Sequence, residues 1–232
     1  MMVHQEQTRK VVAFFGPPGS GKGTVAQEWQ QRENVLTLST GSLCRQHIQE
    51  QTAHGKEFKR LLDQGQLVPD ALMSAMVRDW LMVRRNHDGV ILLDGYPRTA
   101  AQVNQWCGMM RQDMPSFRPY VVFFDIEASL LIERLSRRFT CSNVECQKIY
   151  SSGGSLSSCG DCGSLLVRRR DDEPAVIEQR LAVYDLHKQT LLAACRDLGI
   201  VTKIFTVDHV PLAEMFDAFM SAFGASEEEG TW

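Results

Sequence analysis

The sequence predicts an α/β fold, a five-stranded parallel sheet flanked by helices, with one helical and one cysteine-bearing excursion. Three observations carry that expectation. Short apolar runs rich in β-branched and aromatic residues recur at 11–15, 35–38, 90–93, 121–126 and 201–207. Continuous runs, rather than an apolar–polar alternation, are the pattern of strands buried on both faces of a parallel sheet. Segments with helical spacing separate the runs, as parallel strands require. The first run stops at Gly16-Pro17-Pro18, a tight loop between strand and helix.

Taken in order, the loop is followed by a helix over 23–33, the strand 35–38 and a helix over 40–50. Residues 55–86 keep helical spacing, with a break at Gly65 and a fresh start at Pro69-Asp70, so they form a helical excursion between strands. After the strand 121–126 a helix is expected over 129–138, then an insertion over 139–168. The chain returns through Asp172-Glu173-Pro174, which offers an Asp cap and a Pro in the first turn. That helix carries an apolar stripe at Ile177, Leu181, Tyr184, Leu191, Cys195 and Leu198, interrupted at Lys188.

With 232 residues, 44% of them hydrophobic, the chain can bury one substantial core plus one small module. The net charge of −3, from 25 basic and 28 acidic residues, provides no overall field for a nucleic-acid backbone, and no such partner is expected. The start MMVHQEQTRK has no apolar signal region and no long uncharged apolar run exists, so a cytoplasmic location without membrane attachment is expected. The acidic end SEEEGTW is expected to fray. Of seven cysteines, Cys44, Cys107 and Cys195 sit alone in apolar-periodic segments and read as buried thiols. In a reducing cytosol the other four suggest a metal.

The loop GPPGSGKGT, from Gly16 to Thr24, matches G-x-x-x-x-G-K-[ST] except that Gly23 stands where a hydroxyl is expected, and Thr24 supplies one a step later. Glycines are needed there because backbone N–H groups must turn inward and approach phosphate oxygens, where a Cβ would clash. Lys22 adds charge and the helix start points its positive dipole end at the same anion, so a P-loop that takes a nucleoside triphosphate is expected. Asp94 ends a buried strand at the carboxyl edge of the sheet, where a carboxylate can hold Mg²⁺ through its waters. Arg134 and Arg138 are four apart on one expected helix face, and Arg169 and Arg180 approach from the far side of the insertion.

Within the insertion, Cys141 and Cys146 form C-x4-C and Cys159 and Cys162 form C-x2-C, twelve residues apart. The set is compatible with one tetrahedral zinc; free cysteines or an intrachain disulfide are the alternatives. A nucleic-acid ribbon would interleave basic and aromatic residues, and this stretch has only Lys148 and Tyr150. An insertion this small, with few large apolar side chains, needs a staple, and zinc would let it move as a rigid lid.

GPPGSGKGT resembles the phosphate loop of adenylate kinases and their nucleoside monophosphate kinase relatives. STGSLCR (39–45), DGYPRT (94–99), ERLSRR (133–138) and RRRDDEPAVIEQR (168–180) resemble further family motifs in the same order. The resemblance covers nearly the whole chain and is to the long, zinc-type lid form. It implies a P-loop NTPase-like core over 1–38, 69–138 and 169–232, a monophosphate-binding insertion over 39–68 and a lid over 139–168. It implies reversible, Mg²⁺-dependent transfer of the terminal phosphoryl of ATP to AMP, giving two ADP and balancing adenine nucleotides. ATP would be held by Gly19, Ser20, Gly21, Lys22, Gly23, Thr24, Arg134 and Arg138. AMP would be held by Thr40, Arg45, Gln66, Leu67, Val68, Gly95, Tyr96, Pro97, Arg98, Gln102, Arg169 and Arg180. Transition-state charge would fall to Lys22, Arg98, Arg134, Arg138, Arg169 and Arg180, with no general base, since the attacking phosphate oxygen is already ionised. Mg²⁺ at Asp94, structural zinc at Cys141, Cys146, Cys159 and Cys162, and a monomer complete the expectation. The alternatives are a kinase for another acceptor base and a pseudokinase that binds nucleotide for regulation. Three departures from the family pattern stand out: Ser42 replaces an acidic residue, Tyr96 replaces Phe, and the first cysteine pair is wider than C-x2-C.

Overall fold

A parallel sheet runs in the order β2 (Val35–Ser39), β3 (Val90–Asp94), β1 (Arg9–Phe15), β4 (Phe117–Asp125), β8 (Val201–Thr206). The computed structural model describes residues 9–63, 68–150, 157–169, 172–207, 210–211 and 213–224. Both termini, the expected break at Gly65, and Gln66 and Leu67 lie outside them. All four strand pairings are parallel, and successive residues of the central strand face opposite layers. Val11, Ala13 and Phe15 join one buried cluster with α4 (Asp70–Val83), α5 (Ala100–Asp113) and α7 (Pro174–Asp197). Val12 and Phe14 join the other with α1 (Lys22–Arg32) and α8 (Met215–Gly224). Burial on both faces is why these strands are apolar throughout.

The five expected strands all form, the fourth with the largest shift in its bounds. β4 starts at Phe117 rather than 121 and passes through Pro119. Pro119 is tolerated because β4 pairs with β1 from Phe117 but with β8 only from Tyr120, so the proline has a neighbour on one side alone. The helix expected over 40–50 is α2 (Thr40–Gln49), and the helical excursion divides into α3 (Ala53–Asp63) and α4. Helices α5 and α8 go beyond the expectation. Their signals are present, with Val103, Trp106, Cys107 and Met110 buried at helical spacing behind a Thr99 cap, and Met215, Phe216 and Phe219 in α8.

Two expectations about helix ends are corrected. α6 (Ala128–Ser136) stops before Arg138, which therefore does not share a helix face with Arg134. Glu173, without a side-chain hydrogen bond, is the cap residue of α7, and Asp172 is used elsewhere. Between α6 and α7, β5 (Phe139–Cys141), β6 (Ile149–Tyr150) and β7 (Leu166–Val167) make a small antiparallel sheet in the order β6-β5-β7. No helix among the described residues is long and apolar enough to cross a membrane.

Candidate active site

The phosphate loop links the end of β1 to the start of α1. Gly19 and Gly21 have φ of 84° and 93°, in the left-handed region that side chains with a Cβ rarely adopt. Ser20 is fully buried, and Lys22 folds back under the loop, where its Nζ donates to Gly16 O and Pro17 O at 2.7 Å and to Ser20 Oγ at 3.0 Å. Gly23 and Thr24 lie in the first turn of α1.

Charges converge on that lysine. Burial lowers Lys22 to about 7, Asp94 acts to raise it, and Arg98, Arg180 and Arg138 press it down again. The expected catalytic residues Lys22, Arg98, Arg138 and Arg180 thus share one electrostatic neighbourhood at the carboxyl edge of the sheet, with Asp94 at the end of β3. A strand-end carboxylate among these cationic side chains suits a hard cation carried in with a nucleotide.

Positions 94–102 form a second rigid unit. Gly95 has φ 88°, and a Cβ there would lie 2.5 Å from Thr40 Oγ1 and 2.8 Å from Arg98 Nη2, so only glycine fits. Thr40 donates to Gly95 O at 3.0 Å and Arg98 Nε donates to the same oxygen at 2.7 Å. The bond Tyr96–Pro97 is cis. Gln102 is buried and committed at both ends: Oε1 accepts from Arg98 N, and Nε2 donates to Asp70 Oδ1, each at 2.7 Å. Thr99 donates to Asp70 Oδ2 at 2.7 Å. The departure at Tyr96 has its own partners, since the buried hydroxyl meets Ser74 Oγ at 2.9 Å and donates to Gln102 O at 3.2 Å. Val68 packs on the core beside these residues.

On the far side, Asp172 clamps two arginines. Its carboxylate, 4% exposed, accepts from Arg138 Nε at 2.8 Å and from Arg138 Nη2, and lies 3.8 Å from Arg180 Nη1. Arg169 Nε donates to Thr140 Oγ1 at 2.8 Å, and Arg134 Nη2 donates to Val210 O at 3.3 Å. Arg134 is therefore braced against the carboxy-terminal segment.

Cys141, Cys146, Cys159 and Cys162 bring their sulfurs within 4.8 Å of one another. Cys141 and Cys162 are 3.3 Å apart and Cys146 and Cys159 3.7 Å apart, too long for S–S bonds and close to the ~3.8 Å edge of a tetrahedron with Zn–S near 2.3 Å. Backbone amides of Asn143, Lys148, Asp161 and Ser164 are directed at these sulfurs. The Tyr150 hydroxyl donates to Cys159 Sγ at 3.4 Å, the main cause of a thiol lowered to about 6. Four converging sulfurs with N–H and O–H donors fit a thiolate-bound metal, and the widened first pair still delivers Cys146 to the set.

A sequence model of the adenylate kinase family matches residues 14–199. The chain belongs to the adenylate kinase family. It is 36% identical to an adenylate kinase of Thermosipho africanus over 177 residues, 75% of this chain and 81% of that one. It is 35% identical to an adenylate kinase of Oceanobacillus iheyensis over 193 residues, 82% of this chain and 89% of that one. With an adenylate kinase of Methanothrix thermoacetophila it shares 34% identity over 197 residues, 83% and 89% of the two chains. The chain is an enzyme of this family, with a cysteine cluster consistent with its long-lid form.

Two carboxylates that hold the candidate site residues, Asp70 and Asp172, were read in the sequence only as helix-start residues. Each is a carboxylate that orients site residues 29 or more positions away. The signal for Asp172 was its place between two arginine motifs; Asp70 had only its helix-start position.

Lys22 also gives the site a pH signature. With a folded value near 7 and an ordinary value of 10.5, the unfolded chain binds more protons than the folded one between those limits. Lys22 therefore contributes a stability that rises with pH across about 7–10.5. A triphosphate beside the lysine restores its charge, so nucleotide binding at pH 8 is expected to take up a proton. Calorimetry in buffers of different ionisation enthalpy should show uptake, and a Lys22→Met variant should lose it.

Proposed function

We propose that the chain catalyses reversible, Mg²⁺-dependent transfer of the terminal phosphoryl group of ATP to AMP, giving two ADP. The observation that carries this reading is the convergence of Lys22, Arg98, Arg138 and Arg180 around the end of β3, with Asp94 among them. A phosphate oxygen of AMP attacks the γ-phosphorus as the bond to the β–γ bridging oxygen breaks, and ADP leaves. No proton has to be abstracted from the nucleophile, so the task is in-line placement and neutralisation of the equatorial oxygens.

In this reading Gly19 to Thr24 and Lys22 hold the donor's phosphates, with Arg134 and Arg138 beside them. Arg45, Arg98, Arg169 and Arg180 receive the acceptor, while Thr40, Gln66 to Val68, Gly95 to Pro97 and Gln102 shape its pocket. Asp94 would hold the Mg²⁺ carried in with the nucleotide, which would supply positive charge to the donor phosphates. The module 139–168 acts as the lid over ATP, closed to water and stapled by zinc on its four cysteines. The insertion 39–68 takes the acceptor.

A coupled assay with ATP·Mg²⁺ against AMP, CMP, UMP and GMP tests the proposal. ADP formation is expected with AMP as the preferred acceptor. A chain that phosphorylated another monophosphate and not AMP would refute the adenine assignment, and no turnover with any of the four would refute the kinase reading.

A further inference from the structure

Gln147 follows the second cysteine of the widened pair and has a left-handed backbone, φ 45°. Its amide N donates to Asn143 O at 2.9 Å and its Nε2 donates to Val144 O at 2.8 Å, which fixes the side chain in the knuckle. The remaining atom, Oε1, points across to α2. It accepts from Ser42 Oγ and from Arg45 Nε at 3.0 Å each, and also from Arg45 Nη2. Arg45 Nη2 in turn donates to Ser42 Oγ at 3.1 Å. Two of the chain's departures from the family pattern, Ser42 and the longer Cys141–Cys146 loop, thus meet in one contact. The same module reaches the phosphate loop, where Ile149 Cδ1 lies 3.1 Å from the place a Cβ on Gly23 would take.

We infer that Gln147 is a positioning residue that competes with the acceptor's phosphate for Arg45 and so couples lid seating to acceptor entry. The inference rests on Arg45 receiving that phosphate, as proposed above. The Nε and Nη2 donors of a guanidinium form the edge that grips an oxyanion through two parallel hydrogen bonds. A carboxamide oxygen satisfies the same edge without a charge. It holds Arg45 in place, and a dianionic phosphate displaces it. Ser42 is matched to this arrangement because its hydroxyl donates to the same oxygen; a carboxylate at position 42 would repel Oε1 and take Arg45 for itself.

Calorimetric titration of the full, zinc-loaded chain with AMP and with ATP tests this, with zinc content and melting temperature as checks on each variant. Gln147→Gly removes the carboxamide, and glycine adopts φ 45° without strain, so the knuckle is retained. AMP is expected to bind this variant about tenfold more tightly, the scale of one lost competing hydrogen bond to a charged group, with ATP affinity within about twofold of the parent. Gln147→Glu places a carboxylate on Arg45 and is expected to weaken AMP by about tenfold or more. Opposite shifts from one position are a result that loss of structure alone does not produce. If the parent binds AMP and Gln147→Gly leaves its affinity unchanged or weaker, the inference is overturned while the acceptor assignment stands. If the parent binds no nucleoside monophosphate, the acceptor assignment fails and the inference with it.

Discussion

Lys22→Met is expected to lower kcat by about 10²–10³-fold, the scale of removing one preorganised donor from a charge-stabilising site. The side chain keeps its length and loses its charge, so the loss should fall on kcat more than on the KM for ATP. Stability should move the other way. Burial and three arginines oppose the charge on Lys22, and that cost is greatest at or below pH 7, where the lysine is protonated in the fold. Its hydrogen bonds to Gly16 O, Pro17 O and Ser20 Oγ offset part of the cost. The melting temperature of the variant, relative to the parent, should therefore be higher at pH 6 than at pH 9. A coupled assay and paired melting curves measure both effects; a kcat within tenfold of the parent would remove Lys22 from the chemistry.

The second large effect concerns the cysteine module. Protein purified without chelator is expected to carry about one equivalent of zinc, and Cys159→Ser to carry almost none. Cys159 accepts the Tyr150 hydroxyl and faces Cys146, so its loss removes a ligand and unsettles β6 together. Because Ile149 and Gln147 contact the phosphate loop and α2, the damage should spread beyond the module. A melting temperature lower by about 5–10 °C is expected, corresponding to roughly 2–3 kcal/mol for a chain of this size. Elemental analysis showing well under one equivalent in the parent would sink the zinc assignment, and an unchanged melting curve in Cys159→Ser would sink the staple.

What the sequence made legible, and what it hid, divide along a physical line. The strands were readable because burial on both faces forces continuous apolar runs, and the phosphate loop because its geometry demands glycines at fixed spacing. The fourth strand was misjudged at Pro119, whose acceptability depends on where the neighbouring strand begins. Arg134 and Arg138 were placed on one helix face because spacing gives a periodicity but not the helix end at Ser136. Asp172 looked like a cap because a cap is local; its bonds to Arg138 span 34 residues. Gln147 carried no sequence signal at all, since its role rests on a contact 102 residues away.

At the base of the cysteine module the first rung of β5 and β7 pairs Thr140 with Val167. The two ends of the excursion are therefore neighbours, and once that rung forms the sheet meets a short bridge where the chain has a long detour. Closing a shorter effective loop costs less entropy, which favours the late pairing of β4 with β8. The length of the detour beyond that rung therefore adds little to the cost of closing the sheet.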